Sequence, residues 1–199
     1  MNVSTIGDAR ERLLARAKRE GLATVGYAVF GSPVGPLWVA LGPKGVAGIH
    51  FGSEPSEWEL RRLVRLFGPG IVPDPKRTTP VFRELDQYFA GRRTSFEVPF
   101  DLRGLTPFQE RVLRTTSRIG YGELMTYAAV ARKAGNDRAS RATGAAVGSN
   151  PIPIVVPCHR VVASDGTLGG YGGGLDVKRY LLAIERSEIP AGGWPKRRS

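Results

Sequence analysis

Thiols and imidazoles are scarce in this chain: its 199 residues include one cysteine, Cys158, and two histidines, His50 and His159. A single cysteine excludes an internal disulfide. One thiol and two imidazoles also leave too few soft ligands for a structural zinc site. Long apolar runs are missing too, none approaching the ~18 residues that a membrane span needs. The start, Met1 to Ala9, lacks the basic-then-apolar order of a signal peptide. These absences predict a soluble protein of a reducing compartment, the cytoplasm, with no membrane partner, no metal and no cofactor. Acidic residues are few as well, 18 against 29 Lys and Arg, for a formal net charge of +11. Such a surface attracts polyanions, nucleic acid being the commonest, although an arginine-rich proteome alone gives the same balance. Part of the excess lies in the ends. Arg10, Arg12, Arg16, Lys18 and Arg19 mark a basic arm over 1–21, and Lys196, Arg197 and Arg198 a basic tail over 190–199.

What is present is ordinary globular composition, 41% hydrophobic and 24% charged, enough for one large domain or two small ones. Residues 8–20 have helix-forming composition, with Ala9, Leu13, Leu14 and Ala17 as a short apolar stripe. Three short apolar runs follow, at 24–30, 37–41 and 46–51. The Gly- and Pro-rich turns at 31–36 and 42–45 between them predict an antiparallel meander. Helical spacing returns at 57–67, and a second helix is predicted over 79–90, with Thr79 as cap and Pro80 in first position. Residues 95–100 alternate like a further strand. Nothing in this half, 22–103, looks catalytic, and His50 reads as a satisfied core or edge histidine.

From 104 to 189 the pattern is mostly helical. Thr106 caps a helix that starts at Pro107. Thr126 opens another, with Tyr127, Val130, Ala131 and Ala134 at i, i+3, i+4 and i+7. A third runs over about 138–148, and the last two form a helix-turn-helix candidate. On that third helix Arg138, Arg141, Ala145 and Gly148 share one face, while Ala142, Ala146 and Val147 are expected to pack inward. Arginines followed by very small residues suit close approach to a nucleic-acid groove; tight packing within the domain would use the same small residues. Beyond it, Cys158 follows a β-branched run held between prolines, with His159 beside it. A thiolate next to a base is a nucleophile, whereas most free cysteines are small buried hydrophobes.

These residues also carry a family resemblance. The stretch from Phe108 to Glu185 resembles the O6-alkylguanine-DNA alkyltransferases, the methylated-DNA–protein-cysteine methyltransferases. The match lies in Asn150-Pro151 followed by Pro157-Cys158-His159-Arg160-Val161-Val162, then Gly166, Gly170-Tyr171, Gly173-Gly174, Lys178 and Leu181-Leu182 up to Glu185. Pro107-Phe108-Gln109, Tyr121-Gly122-Glu123, Thr126-Tyr127 and Ala139-Ser140-Arg141-Ala142 agree with it.

The resemblance implies an α/β (α+β) fold: a ribonuclease-H-like small antiparallel sheet with helices, then a mostly helical, winged-helix-like unit with the helix-turn-helix. It implies repair of double-stranded DNA that contains O6-alkylguanine. The nucleotide is flipped out, and its alkyl group passes irreversibly to Cys158, one event per molecule. In that scheme His159 is the base, acting through a bridging water. Glu185 orients the imidazole, and Asn150 holds the segment around the thiol. The resemblance places Tyr127, Val161, Tyr171 and Gly172 at the substrate, with Tyr127 donating to N3 of guanine. Arg141, Arg138, Ala142 and Tyr127 would meet the DNA, Arg141 filling the hole left by the flipped base. Lys178 reads as a helix-surface residue or phosphate contact. Gly172 departs from the family's small side chain and makes three consecutive glycines, which predicts a loop that orders on DNA. A monomer in solution is expected, with cooperative binding on DNA left open. The alternative is a non-catalytic alkyltransferase-like lesion sensor, but that class replaces the acceptor cysteine. A papain-type hydrolase would not need the arginine helix, and a transcription factor would need a second regulatory domain.

Overall fold

The computed structural model describes residues 12–17 and 19–185. Of the expected N-terminal helix, 12–17 and 19 are helical, with Leu13 exposed; residues 8–11 and the tail at Lys196 to Arg198 lie outside the described residues. The meander is present: β1 (Val25–Ser32), β2 (Gly35–Gly42) and β3 (Gly45–Phe51) pair antiparallel, with Tyr27 opposite Ala40 and Trp38 opposite His50. A fourth strand, β4 (Ile71–Pro73), joins β1 in parallel and gives the order β3-β2-β1-β4. Three residues are too few to read as a strand beforehand.

Alternation along β2 sends side chains to two faces. Trp38 and Ala40 pack with Leu63 of α1 (Glu57–Phe67), while Leu37 and Val39 join Val81, Leu85 and Tyr88 of α2 (Pro75–Phe89). Helix α2 starts before the expected Thr79. Asp74 caps it through Arg77 N–H and Pro75 takes the first position, so the same Pro-after-cap signal occurs one turn earlier and Pro80 falls inside the helix. The expected strand at 95–100 is absent except for one bridge, Val46 to Phe100. Its Glu97 and Val98 N–H groups donate to the Glu84 carboxylate instead of a neighbouring strand.

In the C-terminal half, α3 (Pro107–Thr116) opens with a capping box of Thr106 and Gln109, and α4 (Tyr127–Lys133) is capped by Thr126. Helix α5 (Ser140–Gly148) completes the helix-turn-helix. Ala146 and Val147 are buried as expected, but Ala142 is exposed and Thr143 takes the inward position. Two short parallel strands, β5 (Met125–Thr126) and β6 (Val161–Val162), and the final helix α6 (Leu175–Glu185) close this half. Ile152, Ile154, Val155 and Val156 insert into the same core as Leu37, Val81 and Leu113, and Ile49 N–H donates to Pro151 carbonyl at 2.9 Å. The two halves thus share one core through the segment that leads to Cys158. Among the described residues no helix is long and apolar enough to cross a membrane.

Candidate active site

Cys158 emerges from this buried apolar run at a 3-10 turn, Cys158–Arg160. Pro157 and the bond from Arg160 N–H to Pro157 carbonyl curl the chain here. Asn150 braces the run from within: its Nδ2 donates to Val156 carbonyl at 2.8 Å and its Oδ1 accepts from Ile152 N–H at 3.0 Å. Between them Ile154 holds φ 73, a conformation that a β-branched residue rarely adopts. Packing over-determines this turn and keeps the thiol where it is.

Cys158 is buried and faces a cavity of about 860 Å3 that is also lined by Tyr127, Asn150, Tyr171 and Gly172. Burial pushes its thiol up to about 11, partly offset by the Asn150 hydrogen bond and the charge of Lys178. His159 lies behind it with no exposure. Its Nε2 is 2.8 Å from Glu185 Oε1, so with an ionised carboxylate Nε2 carries the proton and Nδ1 keeps its lone pair. Nδ1 is buried and makes no protein hydrogen bond among the described residues. Burial lowers the imidazole pKa, against the opposing pull of Glu185, so His159 is a neutral acceptor.

Glu185 is the hub of the site. Besides His159 it accepts from Arg160 Nε at 2.9 Å, from a second Arg160 nitrogen at 2.8 Å, from Tyr88 hydroxyl at 2.8 Å and from Gly122 N–H at 3.3 Å. Burial alone would raise its pKa; the bonds from His159 and Arg160 outweigh it and hold the carboxyl at about 2. Tyr88 stands on α2, in the half that looked free of chemistry, and no sequence signal marks it.

Lys178 corrects the surface reading. It is fully buried, its Nζ donating to Val161 carbonyl at 2.7 Å and to Leu168 carbonyl. Two carbonyls fit an ammonium group better than a water-facing helix surface would need. Burial brings its pKa down to about 8 while the nearby Cys158 pulls the other way. Val161 is buried in the helical core and is not among the cavity-lining residues. Arg138, Arg141 and Ala142 are exposed at and just before α5, outside the cavity. Gly172 meets nothing where a side chain would stand, whereas a Cβ on Gly169 would come within 2.8 Å of the Tyr127 hydroxyl.

The cavity has a wall that sequence reasoning missed. Ile49, His50, Phe51, Ser56, Trp58 and Glu59 contribute to it from the N-terminal half. His50 is satisfied, as expected, by Glu59 at 2.8 Å, but its ring also faces the cavity. Among the described residues no three His, Cys, Asp or Glu side chains converge to hold a metal ion.

Two family models match the chain: the 6-O-methylguanine DNA methyltransferase DNA-binding domain over residues 107–187, and the ribonuclease-like domain of the same family over 25–102. The methylated-DNA–protein-cysteine methyltransferase of Mycobacterium tuberculosis is 42% identical over 168 residues, covering 83% of this chain and 94% of that protein. The protein of that name from Methanosarcina acetivorans is 40% identical over 161 residues, 81% and 98% of the two chains. The crystal structure of the M. tuberculosis protein OGT in complex with DNA superposes with a TM-score of 0.72 at 40% identity, over 83% of this chain and 96% of that one.

Proposed function

The chain belongs to the 6-O-methylguanine DNA methyltransferase family, and from that premise we propose that it repairs DNA by taking the alkyl group of O6-alkylguanine onto Cys158. The observation that carries this reading is the buried Cys158, with a neutral His159 held by Glu185 next to it in sequence, at the cavity floor. The thiol proton passes through a bridging water to His159 Nδ1, and Glu185 stabilises the imidazolium that results. The sulfur then attacks the alkyl carbon in line. A C–S bond forms, the C–O6 bond breaks with its electron pair going to guanine, and the proton given up by the thiol is returned to the base. Tyr127, on the cavity wall, donates to N3 as that negative charge develops. Asn150 keeps the thiol aligned, and Tyr171 and Gly172 enclose the flipped base. The products are guanine and an S-alkylcysteine.

The only cysteine of the chain is consumed, so each molecule acts once. The same reading has it act as a monomer in the cytoplasm. Arg141, Arg138 and Ala142 present the exposed helix-turn-helix face to double-stranded DNA, where phosphate contacts give salt-sensitive binding with little sequence preference.

Intact-mass measurement after incubation with a duplex that carries O6-methylguanine tests this reading. A gain of one methyl on the Cys158 peptide, abolished in Cys158→Ala with DNA binding kept, is the expected result. An unchanged mass with tight lesion binding would overturn it in favour of a lesion sensor.

A further inference from the structure

Glu185 carries more donors than holding a histidine requires. Among the described residues its Oε1 accepts from three groups at 2.8 Å each: His159 Nε2, Arg160 Nη2 and the Tyr88 hydroxyl. Oε2 takes Arg160 Nε and Gly122 N–H. The Arg160 pair already fixes the carboxylate, since a bidentate guanidinium sets both its plane and its direction. The Tyr88 hydroxyl therefore adds something other than anchorage. It comes from the N-terminal half, from the last turn of α2.

What it adds follows from electrostatics. A hydroxyl that donates to Oε1 draws charge from the oxygen on which the His159 N–H also rests, so the carboxylate supports an imidazolium less well. The groups around the ring divide by sign. Glu185 on α6 favours the charged ring, while burial, Arg160 and Lys178 on α6 oppose it. Cys158 precedes it in the turn, and the Tyr171 ring meets it edge-on at 6.3 Å between centroids. Tyr121 also faces Glu185, but its hydroxyl donates to Ile184 carbonyl at 3.0 Å and not to the carboxylate. Tyr88 joins the opposing side. Its ring is buried against Phe89, Phe96 and Tyr121, which keeps the hydroxyl on Glu185. Burial and the charge of Glu185 hold the phenol well above its ordinary range, so it remains a donor through neutral and mildly alkaline pH.

We propose that Tyr88 is a positioning residue of the alkyl-transfer reaction, sharing Glu185 Oε1 with His159 so that the imidazole rests neutral and can take the thiol proton. The inference rests on the alkyl-transfer reading above. A ring that is already protonated has no lone pair on Nδ1 to receive that proton. A ring held too firmly as imidazolium is slow to return the proton to the guanine. No bond is made or broken on Tyr88 itself; its hydrogen bond to Glu185 is how α2 of the N-terminal half reaches the proton relay.

Tyr88→Phe keeps the packed ring and removes the hydroxyl. In the full-length protein without DNA, 15N NMR of the imidazoles reads the consequence directly, because the chain has two histidines. The His159 ring is expected to take up its proton about one pH unit higher in Tyr88→Phe, the order of one hydrogen bond to a charged group. His50, paired with Glu59, should titrate unchanged. The acid limb of the single-turnover rate on a duplex with O6-methylguanine should move up by the same interval, whatever the plateau rate. Tyr121→Phe removes a neighbouring hydroxyl that does not touch Glu185, and should leave both readings in place. His159 curves that coincide in wild type and Tyr88→Phe, or rings that stay neutral in both from pH 5 to 9, overturn the proposal. So does an acid limb that stays put while the NMR curve moves, or a Tyr121→Phe shift of equal size. A wild-type protein that transfers no methyl group would instead overturn the alkyl-transfer reading, and the NMR comparison would still decide what Tyr88 does to His159.

Discussion

Lys178 places a buried positive charge within reach of the thiol, and its electrostatic effect has a sign that can be followed with pH. An ammonium near Cys158 favours the thiolate, against the burial that raises the thiol to about 11. Lys178→Met keeps the length of the side chain and removes the charge. The thiol pKa then rises further, and each unit costs about tenfold in thiolate, moderated to roughly threefold because a more basic sulfur is the better nucleophile. Lys178 itself loses its proton near 8, so the advantage of the wild type is full below that pH and fades above it. Single-turnover rates of both proteins from pH 6 to 10 should converge toward the alkaline end. A ratio that stays constant with pH would reduce Lys178 to a structural tie between Val161 and Leu168. A histidine beside a cysteine can be read from a sequence, and a match at Glu185 can be read from a family pattern. The burial of a lysine on a helix that otherwise looks amphipathic cannot, because only the packed turn at 161–168 supplies its two carbonyls.

In the proposed reading the helix-turn-helix is the element that meets DNA. Helix α5 exposes Arg141 with Ala142, Ala145 and Gly148 around it, so the backbone can come close to a groove with one long side chain leading. Arg141→Ala should slow transfer from duplex DNA while leaving the reaction with free alkylated base nearly unchanged; equal losses on both substrates would remove the finger role. The loop after Tyr171 behaves as a second element. It is anchored at Gly173 by Phe51, but a side chain at Gly172 would meet nothing. Hydrogen exchange over 170–174 is expected to slow when DNA binds, and equal protection with and without DNA would refute an ordering loop.

Elements like α3 and α4 were legible because Thr106 and Thr126 carry cap signals that work locally, before any tertiary contact forms. The start of α2 was not, since Asp74-Pro75 and Thr79-Pro80 offer the same local chemistry five residues apart. Strands β5 and β6, two residues each, exist only as a pairing between distant segments and leave no periodicity to read.

At the scale of the molecule, Glu185 ties the halves together, since its partners come from α2, from the turn at Gly122 and from the segment after Cys158. That makes this buried carboxylate a determinant of acid stability. Its pKa is about 2 in the folded protein against an ordinary 4.5, a depressed value, so its stabilisation is complete above 4.5 and is lost as pH falls toward 2. His159 acts in the same direction: burial lowers its pKa below 6.5, so the unfolded chain takes up the proton first and acid favours unfolding. Glu185→Gln removes the titrating group and leaves the Arg160 guanidinium buried without its counter-charge. Breaking a buried pair from one side costs about 3–5 kcal/mol, so the variant should be less stable than wild type at neutral pH. Its stability should also fall less steeply between pH 4.5 and 2. Urea unfolding followed by tryptophan fluorescence across that range measures both effects. Parallel curves for the two proteins would mean that Glu185 does not bear the acid sensitivity of the fold.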